Sequence, residues 1–398
     1  MATTTQSNSH TTTILEEVAA SQEHLRIRLA GALASPPPSL PPDSLPSVPL
    51  IDIGASFSPD NISAKKAIAQ EIRSACLTTG FFQISNHGVT EHAITNIIEQ
   101  ARRFFHDLSP EARDRINVRQ SPLFRGYEPA DFSYVNPDDN GKAGGFRHQP
   151  ETKEGFNWGY EEGLDPTGGD GKYVELDGSS PKETGLGNLW PTEEELPGFY
   201  DAVRDYYAQV LQLGRHLFGM FALSLGLEET YFDRVMTHPG GIARLIYYAG
   251  NNAPEDADTA IVQGRDEKDA SKLGLGAHTD YECFTMLLSS SPGLEILFPP
   301  SPLTDNKPLW VPCPVRPGTF TINVADFLMR WTNGLYKSTI HRVVSKPGAK
   351  ERYSVPFFFS INYDADVEAL PEEVVGESKW QKLRAGEYVL ERLRVTAS

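Results

Sequence analysis

The sequence predicts a mainly β fold with flanking helices, a sandwich or jelly-roll barrel preceded by an N-terminal α/β portion. Three observations point to it. From about residue 240 onward, short apolar runs such as ARLIYYAG, FTMLLSS, GLEILF, TFTINVA and YSVPFFFSINY are separated by Gly, Pro, Asn and Asp, the texture of many short strands. Upstream, apolar residues recur at three-and-four spacing over stretches long enough for helices. Hydrophobic residues make up 39% and charged residues 22% of 398, ordinary globular usage that one large core can absorb.

Residues 1–47 read as a flexible, Pro-rich N-terminal extension. The first dozen residues are rich in Ser and Thr, Ile14 to Leu33 can form a helix, and the proline-dense stretch from Ser35 to Pro49 favours an extended linker. The region 48–190 opens on the strand VPLIDI, followed by a helix from Ser63 that Gly80 stops and by the strand FFQIS. A second helix carries Ile94, Ile97, Ile98, Ala101, Phe104, Phe105 and Leu108 on one stripe, which is core. Residues 137–190, with many Gly, Asp and Pro, read as a long irregular excursion of the kind that often sits over active sites. Within it, Phe156, Trp158 and Tyr160 alternate as three aromatics on one strand face. The region 191–398 begins with the longest expected helix, about Glu195 to Leu225 with Gly226 as its terminator. It continues into the strand-rich core at about 240–363 and ends in a helical tail.

The 36 Lys and Arg against 53 Asp and Glu give a formal charge of −17, which repels phosphate backbones and acidic lipid surfaces. Nucleic acid and membrane partners are therefore not expected. Cys76, Cys283 and Cys313 have no CxxC spacing, so neither a disulfide framework nor a thiolate zinc site is indicated, and a reducing, cytoplasmic setting is expected. No apolar run approaches the roughly 20 residues of a membrane span.

The chemistry-bearing candidate is His278-Thr279-Asp280, because residues two apart on extended chain project to the same side and can bind one metal ion together. With 10 His and 53 acidic residues, about 1.3 such triplets arise by chance, so more must agree. His341 in STIHRVV supplies a third ligand if its strand lies beside the first. Two imidazoles and one carboxylate on one face leave three positions of an octahedral iron(II) open, as oxygen chemistry requires. A structural zinc site would be closed by a fourth protein ligand, and none stands at suitable spacing. Arg352 and Ser354 in ERYSVPFFF again share a strand face, a guanidinium fork with a neighbouring hydroxyl suited to a carboxylate.

These motifs resemble the 2-oxoglutarate/iron(II)-dependent dioxygenase superfamily, in the branch that includes isopenicillin N synthase and plant flavonoid and gibberellin oxygenases. The likeness covers roughly Val48 to Tyr363 and rests on VPLIDI, ACLTTGFFQISNHGV, RGYEP, HTDYECFTMLL, GTFTINVADFLMRWTNGLYKSTIHRVV and RYS. It implies a double-stranded β-helix core, with His278, Asp280 and His341 as the iron triad. It also implies that Arg352, Ser354 and Tyr248 hold the distal carboxylate of 2-oxoglutarate. Tyr247 competes with Tyr248, since Ala249-Gly250 follows where the family usually has proline. Dioxygen is the oxidant, and ascorbate is expected as an accessory reductant.

The expected reaction is hydroxylation, desaturation or ring closure of a small organic metabolite, in natural-product or secondary metabolism, with release of succinate and carbon dioxide. Phe156, Trp158, Tyr160, Phe327 and Trp331 are candidate substrate contacts at the barrel mouth. An isopenicillin N synthase-like or aminocyclopropane-carboxylate oxidase-like iron oxidase, without 2-oxoglutarate, is the nearest alternative. A non-catalytic ligand-binding barrel and a zinc hydrolase are more distant ones. His87 and Asn86 read as turn residues, Asn323 and Asp326 as loop anchors, and Arg342 as an ion-pair partner. The chain is expected to act as a monomer or weak dimer on a small molecule.

Overall fold

Alternation along the strands decides which side chains meet helices and which meet the interior of the barrel. In the strand Arg352–Phe359, Tyr353, Val355, Phe357 and Phe359 are buried against helices, whereas Arg352, Ser354, Pro356 and Phe358 line an internal cavity. The computed structural model of the chain describes residues 2–33, 46–130, 132–133, 151–253 and 272–397.

In chain order the strands are β1 (Leu50–Asp52), β2 (Phe81–Ser85), β3 (Gly126–Glu128), β4 (Lys153–Gly159), β5 (Gly241–Tyr248), β6 (Lys272–His278) and β7 (Phe284–Ser289). They continue as β8 (Leu294–Phe298), β9 (Leu309–Pro312), β10 (Phe320–Val324), β11 (His341–Ser345), β12 (Arg352–Phe359), β13 (Asp366–Val367) and β14 (Leu383–Arg384). The helices are α1 (Ala2–Leu33), α2 (Ile62–Thr78), α3 (Glu91–His106), α4 (Pro110–Arg115), α5 (Pro181–Thr184), α6 (Phe199–Ser224), α7 (Asp326–Trp331), α8 (Glu372–Val375) and α9 (Ala385–Thr396).

Two sheets make the core. The major one runs β1-β2-β10-β7-β12-β5-β4-β3 and the minor one β6-β11-β8-β9. Ile246, Tyr248, Leu275, Leu294, Ile296 and Val343 fill the space between them. On its other face the major sheet buries Phe284, Phe357 and Phe359 against Tyr207, Phe218 and Phe221 of α6. Helix and sheet approach so closely that a Cβ on Gly214 would lie 2.3 Å from the Phe359 ring. Two facing, largely antiparallel sheets with helices outside them match the jelly-roll expectation.

Helix α6 is shorter at its start than expected, since Gly198 at φ 74° sets its boundary, and α1 is the longer helix. Gly80 does stop α2: it has φ 70°, its N–H bonds Ala75 O at 2.9 Å, and a Cβ there would strike Lys337 O. Within the expected excursion of 137–190, residues up to 150 lie outside those described, β4 is regular, and the following loops fold back on α6 through Asp165 and Arg215. Most of the proline-dense stretch also falls outside the described residues. Helix α1 docks by Val18, Leu25 and Leu29, with Glu17 paired to Arg330 at 2.9 Å and Ser21 bonded to Tyr388. No helix among the described residues is long and apolar enough to cross a membrane.

The C-terminal helix α9 closes one side of the cavity through Val389 and Leu393. It is pinned by Arg392, whose Nη1 donates to Asp326 Oδ2 at 2.7 Å with both side chains about 95% buried. Asp326→Ala leaves that guanidinium without its counter-charge, so about 3–5 kcal/mol of unfolding free energy is expected to be lost in urea denaturation. A loss below about 1 kcal/mol, the range of exposed pairs, shows that the pair does not pin the helix.

Candidate active site

Strands β6 and β11 pair antiparallel with His341 directly opposite His278, so the two imidazoles meet with ring centroids 4.3 Å apart. Asp280, two residues beyond β6's last position, brings Oδ1 to 3.5 Å from His278 Nε2 and 3.6 Å from His341 Nε2. Their ligand atoms all lie within 4.8 Å of one another, and the three residues are buried. Adjacent corners of an octahedron with metal–ligand distances of about 2.1 Å are about 3 Å apart, so the spacing suits one ion.

Each donor is oriented from behind. His278 Nδ1 donates to Gly276 O at 2.8 Å and His341 Nδ1 to Thr339 O at 3.1 Å, which leaves both Nε2 lone pairs aimed at the shared point. Asp280 Oδ2 accepts from Thr285 Oγ1 and from Asn323 Nδ2 at 2.7 Å, which frees Oδ1. Burial pushes His278 down, and His341 beside it adds to that. Burial alone would raise Asp280, but the two imidazoles hold its carboxyl well below the usual range, while the same carboxylate lifts His341 against its own burial. Imidazole and carboxylate donors without a thiolate fit a first-row divalent ion such as iron(II). The three cysteines are buried elsewhere.

The same cavity, open at its mouth, holds Arg352 and Ser354. Arg352 donates by Nε to Ser291 O at 3.1 Å and by Nη2 to Ser289 Oγ at 2.9 Å, but its buried Nη1 has no partner. No carboxylate among the described residues pairs with it, and burial depresses its pKa. A buried guanidinium without a counter-ion is costly, so this is a seat for an anion. Tyr248, opposite Arg352 across β5 and β12, lies under the guanidinium at 4.9 Å, while Tyr247 faces outward against Phe105 and His106. Leu275, Leu287, Leu294 and Val343 give this part of the cavity an aliphatic wall.

The five aromatic candidates for substrate contact sit elsewhere, and none lines the cavity. Register explains three of them: β4 pairs Lys153 with Tyr248 and Asn157 with Arg244, so its odd-numbered positions face inward. Phe156 and Trp158 therefore pack outward among Phe104, Trp190 and Phe199, and Tyr160 packs against Tyr173 and donates to Asp165. Phe327 lies against Tyr388, and Trp331 stacks on Phe232 at 4.9 Å. His87 bonds Gly318 O and Val89 N as a turn histidine, and Arg342 pairs with Glu295 at 2.9 Å. Asn323 does more than anchor a loop, since it holds a donor residue of the triad.

Sequence reasoning missed Thr285, Glu282 and the polar group Glu128, Lys153, Asn157 and Arg244, all in or beside the cavity. Burial pushes the Glu282 carboxyl up to about 8. The missed signal was the polar half of the alternation that flagged Phe156 and Trp158.

Residues 239–361 match the family described as the 2OG-Fe(II) oxygenase superfamily, and residues 48–193 match the non-haem dioxygenase in morphine synthesis N-terminal family. The chain is 33% identical over 328 residues to the 2-oxoglutarate-Fe(II) type oxidoreductase hxnY of Emericella nidulans, covering 81% of this chain and 82% of that one. It is 34% identical over 326 residues to a 2-oxoglutarate-Fe(II) type oxidoreductase of Aspergillus fumigatus, covering 81% and 84%. Among solved structures, a full-length Neurospora crassa protein crystallised in complex with alpha-KG superposes with a TM-score of 0.68 at 23% identity, covering 90% of this chain and 100% of that one. The rice dioxygenase for auxin oxidation gives 0.59 at 21%, covering 88% and 100%.

Because Asn323 fixes which carboxylate oxygen of Asp280 is free, Asn323→Ala is expected to weaken divalent-metal binding about 10–100-fold. Calorimetric titration with Mn(II) reads this directly, and an unchanged affinity removes Asn323 from the support of the site.

Proposed function

The chain belongs to the 2OG-Fe(II) oxygenase superfamily and is a 2-oxoglutarate-dependent iron(II) dioxygenase; we propose that it oxidises a small organic metabolite of natural-product metabolism, with His278, Asp280 and His341 as iron ligands and Arg352, Ser354 and Tyr248 as the 2-oxoglutarate clamp. The observation that carries these assignments is one cavity containing three convergent donors and, beside them, a buried guanidinium with an unused Nη1.

When bound, iron and 2-oxoglutarate supply the oxidising chemistry: one oxygen atom of O2 enters succinate as carbon dioxide leaves, and the other is used on the substrate. The protein's own part is placement. Arg352 gives the far carboxylate its charge partner, Ser354 adds a hydroxyl donor, and the aliphatic wall excludes water from the chain between. His278, Asp280 and His341 would hold the iron, and the cavity into which they converge is where reactants would meet it. Hydroxylation, desaturation and ring closure are all compatible with this arrangement, since they diverge only after the substrate C–H bond is broken.

Three free, buried cysteines favour a reducing compartment such as the cytoplasm. An oxidase that dispenses with 2-oxoglutarate is disfavoured, because the relatives at 33% and 34% identity carry 2-oxoglutarate in their names.

Asp280→Ala is expected to lose both iron binding and turnover, measured by anaerobic Fe(II) titration and by product formation; full activity in this variant refutes the triad. Arg352→Met is expected to raise the half-saturating 2-oxoglutarate concentration by about 30-fold or more, corresponding to ~2 kcal/mol. An unchanged requirement removes the clamp. Succinate should form one-for-one with oxidised substrate, and product without succinate would instead establish the oxidase.

A further inference from the structure

The side of the cavity away from the clamp is built around one buried carboxylate. Glu128 is saturated: Oε1 accepts from Lys153 Nζ at 2.6 Å and Ser133 Oγ at 2.7 Å, and Oε2 accepts from Arg244 Nη2 at 2.6 Å and Asn157 Nδ2 at 3.0 Å. Asn157 Nδ2 also donates to Phe124 O at 3.4 Å, and these two acceptors fix which end of the amide is nitrogen. What remains over is Asn157 Oδ1 and Arg244 Nε, both buried and both without a partner. Both belong to residues that line the cavity, and native polar atoms are rarely left buried and unpaired, so together they mark a position for a ligand.

The two groups act together. Asn157 and Arg244 are directly opposite across β4 and β5, and Asn157 Oδ1 and Arg244 Nη2 lie 3.6 and 3.2 Å from the point a Cβ on Gly155 would take. Arg244 is four residues from Tyr248 on the same inward face of β5, about 13 Å along the strand, beyond the reach of the clamp. Charge decides the class of ligand. Arg244 and Lys153 are balanced by Glu128 and by Glu151, which is 3.7 Å from Lys153 Nζ, so an anionic ligand would find no uncompensated cation. A neutral group with an acceptor for the guanidinium and a donor for Asn157 Oδ1 satisfies both without adding charge. Around it, Phe124, Ile242, Phe358 and Leu393 offer apolar contact to a ring.

We infer that this side of the cavity recognises a secondary amide edge, as in a lactam, imide or ring amide, with Arg244 donating to the carbonyl and Asn157 Oδ1 accepting from the N–H. The inference rests on the cavity being the substrate chamber of a 2-oxoglutarate oxygenase. It makes Asn157 and Arg244 determinants of specificity rather than structural polar residues.

The test uses the full chain with iron(II) and 2-oxoglutarate under anaerobic conditions, titrated calorimetrically with 2-quinolone and with N-methyl-2-quinolone. The parent lactam is expected to bind about 10-fold tighter or better, because the methylated one leaves Asn157 Oδ1 unpaired. In Asn157→Leu the ratio should fall to within about 2-fold, and Arg244→Lys, which keeps a cation for Glu128, should weaken both lactams. Equal affinities in the unaltered protein, no binding of 2-quinolone at millimolar concentration, or a ratio that survives Asn157→Leu each overturns the inference. Should Asn157→Leu not fold, judged by its melting temperature, the comparison of the two lactams on the unaltered protein still decides. Calorimetric binding of 2-oxoglutarate in the same samples separates the two levels: its failure sinks the enzymatic reading, and its success with no lactam preference sinks only this one.

Discussion

The carboxylate of Asp280 is the tie on which the two sheets depend. His278 and His341 both belong to the minor sheet, where a single cross-strand pair sets them face to face. Asp280 lies just past that sheet, and its Oδ2 is held by Thr285 of β7 and Asn323 of β10, both in the major sheet. Its other oxygen returns to the imidazoles. One side chain therefore reads the relative position of both halves of the barrel. If the sheets slid by even an ångström, either the supporting bonds or the donor convergence would be lost.

Strand parity then assigns every other role. On β5, Ile242, Arg244, Ile246 and Tyr248 share the cavity face, and on β12 Arg352, Ser354, Pro356 and Phe358 do the same. The outward residues of those strands play no part in chemistry and instead bury aromatic surface against α3 and α6. Such packing is what makes an unneutralised interior guanidinium tolerable at all. A well-packed shell contributes the stability that a cation without its partner subtracts, and an anionic ligand bound beside Arg352 would restore the balance.

Much of this was legible in the sequence. VPLIDI, FFQIS and the five apolar runs after residue 240 all became strands, because short β-branched and aromatic segments between turn residues leave little alternative. His278 with Asp280, and Arg352 with Ser354, could be singled out because the members of each pair are two residues apart on extended chain, whereas His341 joined them only on the condition, met in the structure, that its strand pairs with that of His278. The polar part of the cavity wall could not. Phe156 and Trp158 drew attention by size, yet facing direction in β4 is fixed by its pairing with β5, a contact about 90 residues away that no local pattern reveals. Glu128 and Arg244 looked like ordinary charged residues until the sheet order placed β3, β4 and β5 side by side. Likewise, Asn323 read as a loop anchor because its bond to Asp280 joins strands far apart in the chain.

Helix α9 carries a consequence for biosynthesis. It follows every barrel strand in the chain, yet Val389, Leu393, Thr396 and Ala397 complete the cavity wall, and Ala397 bridges back to Ser133. On the ribosome, the two sheets can therefore pair before this helix has left the exit tunnel. A nascent barrel in that state would lack one wall of the cavity, which is complete only once residues 385–397 have emerged and docked.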